Sequence, residues 1–319
     1  MKHIGRLALF LFLAVNAFFI GMLLLTAYSP YINPEVHPVQ SCLGLTFPIF
    51  LVINFCFLIF WLIVRYRLAL VPLLGFLLCY PQIRTYMPIN MEPSGQPENS
   101  IKLLSYNIMS FGNMKKENGQ NPILNYIKNS KADIVCMQEY AGSETAKIHL
   151  NKKEIRQALK DYPYRHIKQV GKTGAGSQIA CYSKFPILSA RMLDYQSNYN
   201  GSMVYDIKIG KDTVLLINNH LESNKLTRED KVVYEDMLKD PKAGKVKSGI
   251  RQLVNKLAEA SAIRSAQARA IAQEIARSPY PSVIVCGDFN DSPISYAHRV
   301  ISQDLDDAFT ESGRGLGIS

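Results

Sequence analysis

Charge is missing from two long stretches of this 319-residue chain. No charged residue occurs from Leu7 to Tyr28 or from Ser41 to Val64. Each stretch is as long as the roughly 20 apolar residues that an α-helix needs to cross a bilayer. A third apolar run, Leu68–Tyr80, is shorter and contains proline and glycine. It is compatible with a kinked span or with a re-entrant segment, and we expect it to cross. Residues 1–89 are therefore predicted to form a multi-pass membrane region.

A cleavage signal is also missing after the first apolar run. Lys2, His3 and Arg6 could form the basic start of a signal peptide. However, the apolar core exceeds the usual length of about 7–15 residues, and no A-x-A-like site follows it. We therefore predict an uncleaved anchor.

Lysine and arginine are absent from the loop between the first two runs, residues 29–40, whereas Arg65 and Arg67 follow the second run. Because basic residues favour the cytoplasmic side, the N-terminus and the turn at Arg65 are predicted to be cytoplasmic. If Leu68–Tyr80 crosses, the rest of the chain lies outside the cytoplasm, on the periplasmic side of a bacterial inner membrane. If it does not cross, the rest is cytoplasmic.

No pair of cysteines has the C-x-x-C spacing that is typical of metal clusters and redox motifs. Cys136, Cys181 and Cys286 each lie in an apolar, strand-like run. We interpret them as small buried residues. The six cysteines of the chain do not decide its compartment.

Beyond the membrane region, residues 90–100 are rich in turn formers and are predicted to be a linker. Residues 101–319 alternate strand-like and helix-like segments, without a repeat of fixed period. The predicted strands are Ile101–Tyr106, Asp133–Gln138, Ser177–Tyr182, Met203–Ile209, Val214–Asn219 and Ser282–Cys286. The predicted helices are Asn121–Asn129, Lys152–Lys160 and Lys247–Arg277. This order predicts an α/β domain.

Polar side chains follow four of the predicted strands. They are Asn107, Glu139, His220 and Asp288, and Asn290 lies two residues beyond Asp288. Because sites in α/β proteins form at strand ends, we expect these side chains to converge. A carboxylate and an amide suit Mg²⁺ that keeps part of its water shell. A second carboxylate can orient or deprotonate water, and a histidine can protonate or stabilise a leaving oxygen.

Each of these residues also has a simpler interpretation. Asn107 can be a turn former, Glu139 a structural acid and His220 a core histidine, while Asp288 and Asn290 can form an Asx-type turn. Their combined occurrence at strand ends favours a site.

Five segments of the sequence carry a resemblance to a known family: LLSYNIMSF, DIVCMQEY, YSKFPIL, INNHLES and VIVCGDFNDSP. Together they resemble, in order, the motifs of the endonuclease/exonuclease/phosphatase superfamily, which includes deoxyribonuclease I and the neutral sphingomyelinases. The overall layout is similar to that of membrane-anchored bacterial members. The resemblance implies a four-layer αββα sandwich and phosphoester hydrolysis that depends on Mg²⁺ or Mn²⁺.

The same resemblance implies a role for each residue of the predicted site. Glu139 would be the principal metal ligand, and Asn107 would support the metal and the phosphate. Asp288 would align or activate the attacking water. Asn290 would hold a phosphate oxygen, and His220 would contact the phosphate and assist the leaving group. Asp291 and Ser177 are weaker candidates.

Two motifs of the family are missing: an R-I-D-Y-I-like strand and a terminal Ser-Asp-His. Two explanations remain open. Either the chain is a fragment of a longer protein, or the domain lacks its C-terminal strands, which would leave an unpaired sheet edge. The main hypothesis is a membrane-anchored phosphoesterase; the alternative is a non-catalytic, membrane-tethered binding module.

The substrate class is left open between nucleic acid, a phospholipid head group and a small phosphoester. A nuclease would present aromatic and basic residues near the site, and candidates are Tyr195, Tyr199, Lys168 and Lys172. The basic residues of the long helix, Arg264 among them, are expected to lie on a solvated face. No pattern indicates an oligomer.

Overall fold

The computed structural model describes most of residues 2–317. The residues outside the description are 1, 92–94, 96, 98–99, 113–118, 142–149, 172–177, 196, 198, 225, 227–229, 231, 233–242 and 318–319. Within the described residues, the α-helices are α1 (Lys2–Ala27), α2 (Pro38–Ser41), α3 (Phe47–Val64), α4 (Leu70–Leu78), α5 (Tyr80–Tyr86), α6 (Pro122–Ser130), α7 (Lys152–Ala158), α8 (Ala243–Ala276), α9 (Tyr296–Ile301) and α10 (Ala308–Ser312). Short 3₁₀ helices occupy Ser29–Tyr31, Cys42–Thr46, Tyr66–Ala69 and Met109–Phe111.

Two helical segments, Arg6–Ala27 and Pro38–Val64, are long and apolar enough to span a membrane. Buried polar groups join them inside the apolar stretches: the Trp61 indole donates to Asn16 Oδ1 at 2.9 Å, Asn16 Nδ2 donates to Asn54 Oδ1 at 3.4 Å, and Asn54 Nδ2 donates to the Phe19 carbonyl at 3.0 Å. Among the described residues, these bonds pair α1 with α3. Such interhelical bonds stabilise packing where water is absent.

The third apolar run is a broken helix. Tyr66–Leu78 and Tyr80–Tyr86 are bent by 69° at Cys79. Pro81 explains the break, because proline lacks an N–H and its ring collides with the carbonyl four residues earlier in a continuous helix. The two helical segments form a third membrane span only if they cross the membrane together.

Two four-stranded sheets form the frame of the site. The first has the order β1 (Leu103–Asn107), β2 (Ile134–Tyr140), β4 (Gln178–Ser183), β3 (Tyr164–Gln169). The second has the order β5 (Ile187–Met192), β6 (Gly201–Ile209), β7 (Asp212–His220), β8 (Ser282–Asp288). In each sheet one pair is parallel, β1 with β2 and β7 with β8, and the other pairs are antiparallel.

The sheets pack face to face across an apolar layer, in which Ile134 and Ile179 of the first sheet lie with Tyr205 and Leu216 of the second. The outer face of the first sheet is covered by α6 and α7, with Ile127 and a second isoleucine, Ile155, fully buried. The last turns of α8 lie beside the second sheet, where Glu274 forms an ion pair with Arg191 of β5. The predicted helix–sheet–sheet–helix sandwich is therefore confirmed.

Two strands were missed by the sequence prediction. Strand β3 has the sequence YRHIKQ and is mostly exposed, so it lacks the apolar pattern that identifies a strand. Strand β5 pairs with β6 but carries exposed residues at most positions. The six predicted strands are present, with bounds shifted by a few residues at most.

All six cysteines are free. Cys136 and Cys181 are directly opposite each other on β2 and β4 and are fully buried, and Cys286 is half-buried. Hydrogen bonds to the Cys181 and Cys286 thiols raise the pKa of the Cys136 thiol well above its ordinary value, and burial acts in the same direction. These residues are packing elements of the inter-sheet layer, as predicted.

Contacts divide the chain into two compact units. One contains Met1–Glu92, Asn224–Ala268 and Asp291–Ser319; the other contains Pro93–Ser223 and Arg269–Asn290. The first unit joins the apolar N-terminal helices to much of α8 and to the C-terminal segment. Asn90, the first residue of the predicted linker, donates to the carbonyls of Thr310 and Gly313 in this unit. The second unit contains both sheets.

Gly287 allows the end of strand β8 to lie close to strand β7. We therefore predict that Gly287→Ala destabilises the fold. Its φ is +136°, and a Cβ there would collide with the backbone of Asn219. We expect the loss to exceed the roughly 1–3 kcal/mol of a strained backbone alone, because two strands must separate. The measurement is thermal unfolding of the full-length protein in detergent.

Gly210→Ala is the matched control. Gly210 also has positive φ, +59°, but no atom lies within 4 Å of the position of its Cβ. An equal loss in the two variants would contradict the steric argument.

Candidate functional site

The five predicted site residues lie at the ends of four strands of the second unit. Asn107 is the last residue of β1, and Glu139 is the last but one of β2. His220 and Asp288 end β7 and β8 and are paired in register. Because β1 runs parallel to β2 and β7 parallel to β8, each sheet delivers two of these side chains at one edge.

Glu139 reaches the site through a distortion of β2. Its φ is +51°, and the register between β2 and β4 shifts between Met137 and Tyr140. Such bulges redirect a side chain at the cost of local strain, which a non-glycine residue at positive φ carries. The side chain of Glu139 is 37% exposed, so its carboxylate is open to a ligand.

The Asn107 amide joins the two carboxylates of the site. Its Nδ2 donates to Glu139 Oε1 at 3.0 Å and to Asp288 Oδ2 at 2.8 Å. One amide nitrogen has two hydrogens, so each carboxylate receives one. Asn107 Oδ1 accepts from the Met109 N–H at 3.1 Å. The turn-former interpretation of Asn107 is therefore also fulfilled, in addition to its place in the site.

Asp288 and Asn290 form a compact loop at the end of β8. The Asn290 N–H donates to Asp288 Oδ1 at 3.0 Å, which is an Asx turn, and Asn290 has a φ of +51°. The Asn290 side chain donates to the Leu221 carbonyl at 3.0 Å, and the Leu221 N–H donates to the Asp288 carbonyl at 2.9 Å. The loops after β7 and β8 are thus bonded to each other.

His220 is the most enclosed member of the site, with a side chain only 5% exposed. Its Nε2 lies 3.7 Å from Glu139 Oε1. Burial lowers the pKa of His220 below its ordinary value, and this outweighs the nearby carboxylates of Asp288, Glu139 and Glu222, which raise it. The imidazole is therefore neutral at pH 7, and its ring presents one N–H donor and one acceptor.

A set of buried polar residues lies beneath the site, and the sequence analysis missed three of them, Ser202, Asn218 and Asn219. Gln138, beside Glu139, donates to Asn218 Oδ1 of the opposite sheet at 2.6 Å. Ser202 donates to Asn219 Oδ1 at 2.5 Å, and Asn219 Nδ2 donates to the Cys286 carbonyl at 3.2 Å. The available signal was the occurrence of QE and INNH within otherwise apolar strands.

The weaker candidates lie elsewhere. Asp291 Oδ2 accepts from Arg264 Nε at 3.0 Å, a pair in which both side chains are largely buried. The expectation that Arg264 lies on a solvated helix face is thus wrong. The Tyr195 hydroxyl is 2.7 Å from Ser202 Oγ, whereas Tyr199 and Lys168 are exposed. Ser177 and Lys172 lie outside the described residues.

The described residues contain no group of three or more His, Cys, Asp or Glu side chains that could hold a metal ion. The site instead offers the oxygens of the Glu139 and Asp288 carboxylates, which the Asn107 Nδ2 joins, and beside them the Asn107 amide oxygen, which accepts from the Met109 N–H. A set of this kind fits a Mg²⁺ ion that retains waters and shares a substrate phosphate.

Both parts of the chain match known families. Residues 104–317 match the Endonuclease/Exonuclease/phosphatase family. Residues 9–86 match a domain of unknown function (DUF8431). Because the first match covers more than half of the chain, the chain belongs to the Endonuclease/Exonuclease/phosphatase family, as the sequence motifs predicted.

Several solved structures are similar to this chain. Truncated TDP2 from Caenorhabditis elegans is 20% identical, with 60% of this chain and 63% of that chain covered and a TM-score of 0.38. Sphingomyelinase C from Streptomyces griseocarneus is 19% identical, with 66% and 70% covered and a TM-score of 0.42. Beta toxin from Staphylococcus aureus is 16% identical, with 65% and 73% covered and a TM-score of 0.42. The comparison with curated proteins gives no match.

We predict that Asn107→Asp lowers the free energy of unfolding by about 1–3 kcal/mol, the cost of leaving charged acceptors without their donor. The substitution removes an N–H donor from Glu139 and Asp288 and adds a third negative charge beside them. Thermal unfolding of the full-length protein without divalent cations measures the effect.

Asn129→Asp is the control, because Asn129 is exposed on α6. If both variants unfold at the same temperature, the bridging role assigned to Asn107 is wrong.

Proposed function

We propose that this chain is a membrane-anchored, Mg²⁺-dependent phosphoesterase that hydrolyses phosphodiester or phosphomonoester bonds. The observation that supports it most directly is the Asn107 amide, which draws the carboxylates of Glu139 and Asp288 to one point. His220 completes the cluster at 3.7 Å from Glu139. The family to which the chain belongs agrees with this reading of the site.

Glu139 and Asn107 are the residues that would hold the metal, which can be Mg²⁺ or Mn²⁺. Glu139 is the accessible carboxylate, and Asn107 is its neighbour, donating to it through the amide nitrogen. When bound, such an ion polarises a phosphoryl oxygen and neutralises the charge that develops during hydrolysis.

Asp288 would orient and deprotonate an attacking water. One of its oxygens is fixed by the Asn290 N–H and the other by Asn107, so the carboxylate cannot rotate freely. A base with a fixed orientation contributes to catalysis through both proton transfer and positioning.

His220 and Asn290 would contact the phosphate. Since the imidazole of His220 is neutral at pH 7, its N–H can donate to a phosphate oxygen or to the leaving oxygen without carrying a charge. Asn290 Nδ2 has a second hydrogen besides the one given to Leu221. That hydrogen is available for a phosphate oxygen in the transition state.

The substrate class is best decided by experiment. The candidates are nucleic acid, a phospholipid head group and a small phosphoester. A panel of an aryl phosphodiester, an aryl phosphomonoester, plasmid DNA, sphingomyelin and phosphoinositides separates them, with full-length protein in detergent or vesicles and MgCl₂ supplied.

We predict that Glu139→Gln and Asp288→Asn each reduce Mg²⁺-dependent hydrolysis of the best substrate by at least about 100-fold, the lower range for removing a group that transfers protons or stabilises charge. Both variants keep the size of the side chain and remove one charge. The measurement is initial rate against substrate concentration, with EDTA as the metal-free reference.

Asp212→Asn is the control, since Asp212 is an exposed carboxylate at the start of β7, and it should match the unaltered protein. A readout independent of turnover is the rise in melting temperature on adding MgCl₂, which Glu139→Gln should abolish. A folded protein that hydrolyses no member of the panel would overturn the catalytic proposal and favour a tethered binding module.

We also propose that the broken helix Tyr66–Tyr86 crosses the membrane, so that the domain with the two sheets lies outside the cytoplasm. We predict that Asp212→Cys reacts with a membrane-impermeant maleimide in intact cells. Arg67→Cys, on the opposite side in this topology, should react only after permeabilisation. The reverse pattern for Asp212→Cys would place the domain in the cytoplasm and make the broken helix re-entrant.

A further inference from the structure

Asn200, the residue before β6, reaches the edge of the second sheet at which the candidate site lies. Gly201 is paired with His220 in the antiparallel register of β6 and β7, so Asn200 lies opposite Leu221, the residue after His220. Asn200 is buried, and its Nδ2 donates to the Leu221 carbonyl at 2.5 Å. All of these residues belong to the compact unit that contains both sheets.

The Leu221 carbonyl is shared between two asparagine side chains. Besides the bond from Asn200, it accepts from Asn290 Nδ2 at 3.0 Å. A carbonyl oxygen has two lone pairs, so these two bonds fill its acceptor capacity. The Leu221 N–H donates to the Asp288 carbonyl at 2.9 Å. The main chain of Leu221 is therefore bonded to both site residues of the loop after β8.

A buried serine and a buried glutamate hold Asn200 in turn. The Asn200 N–H donates to Ser197 Oγ at 3.1 Å, and the Ser197 hydroxyl donates to Glu222 Oε2 at 2.9 Å. Because the hydrogen of the hydroxyl is given to the carboxylate, a lone pair of Ser197 Oγ faces the Asn200 N–H. Glu222, Ser197 and Asn200 form one series of hydrogen bonds, the loop network, which ends at the Leu221 carbonyl.

The loop network contains a charge that a purely structural connection does not require. Glu222 is only 3% exposed, and burial of a carboxylate costs free energy unless it is paired or hydrogen-bonded. Apolar residues of similar size often stabilise a fold as well as buried charges do. The three residues of the loop network are not among those assigned to the metal, the water or the phosphate. Their bonds nevertheless end at the carbonyl that Asn290 uses.

We infer that Asn200 is a positioning residue for Asn290. Because Asn200 fills one lone pair of the Leu221 carbonyl, Asn290 can donate only toward the other. The direction of the second amide hydrogen of Asn290, the one assigned to a phosphate oxygen, is fixed with it. Ser197 and Glu222 hold Asn200 in the orientation that this requires. The inference rests on the proposed function for its catalytic consequence.

The test compares Ser197→Ala with Ser189→Ala in the full-length protein. Each variant removes a serine hydroxyl that donates to a carboxylate, since the exposed Ser189 of β5 donates to Asp206 Oδ2 at 2.6 Å. Only Ser197 belongs to the loop network. With an aryl phosphodiester and MgCl₂, we expect Ser197→Ala to lower kcat several-fold while KM stays within about two-fold, because the contact from Asn290 is made in the transition state. Ser189→Ala should match the unaltered protein.

Asn200→Ala tests the end of the loop network that bonds Leu221. We expect a larger loss of kcat, about 10-fold, which is below the roughly 100-fold cost of a displacement of about 1 Å at a reacting group. The rise in melting temperature on adding MgCl₂ should be retained in Asn200→Ala and Ser197→Ala, because Glu139 and Asn107 are unchanged. A general loss of structure at the site would remove that rise.

Hydrogen–deuterium exchange provides a measurement that does not depend on activity. The N–H groups of Leu221 and Asn290 both donate to Asp288. They should exchange faster in both variants of the loop network and at the unaltered rate in the control variant. If Asn200→Ala does not fold, Ser197→Ala decides the comparison.

Unaltered exchange at Leu221 and Asn290 in the folded variants would overturn the positioning role, whatever the activity. Equal kcat in Ser197→Ala, Asn200→Ala and Ser189→Ala, with the unaltered protein active, would overturn it as well. So would loss of the MgCl₂-dependent rise in melting temperature. An inactive unaltered protein with raised exchange in the variants would contradict the proposed function alone and leave the restraint on Asn290 established.

Discussion

Two carboxylates from the edges of two facing sheets would repel each other, and the Asn107 amide offsets this repulsion by donating to both. It gives one hydrogen to Glu139 and one to Asp288, and so joins the first sheet to the second at the rim. The other features of the site serve this arrangement. The bulge in β2 turns Glu139 toward the amide, and the glycine before Asp288 lets β8 approach β7 closely.

Below the rim, buried amides replace apolar packing. Gln138 and Asn218 bond across the space between the sheets, where an unsatisfied polar group would cost about 1–3 kcal/mol. Such a bond has directional requirements that apolar contacts lack. It therefore prevents one sheet from sliding over the other, and so holds the carboxylates of the site at a constant separation.

Much of this architecture could be predicted from the sequence, because strand ends and apolar runs are local properties. Asn107, Glu139, His220 and Asp288 were identified by their positions after apolar strands. The positive φ of Glu139 was not predictable, since it arises from pairing with β4. Arg264 was misjudged because its partner, Asp291, is distant in sequence and only the folded chain brings them together.

The apolar helices α1 and α3 are joined by buried hydrogen bonds. Trp61 donates to Asn16, and Asn16 donates to Asn54. If α1 and α3 cross a bilayer, Asn16 has no polar partner in the lipid until α3 is in place. Stable integration of the first helix would then depend on synthesis of the second. The two helices should enter the membrane as a hairpin rather than one after the other, and truncation between them should leave a poorly inserted protein.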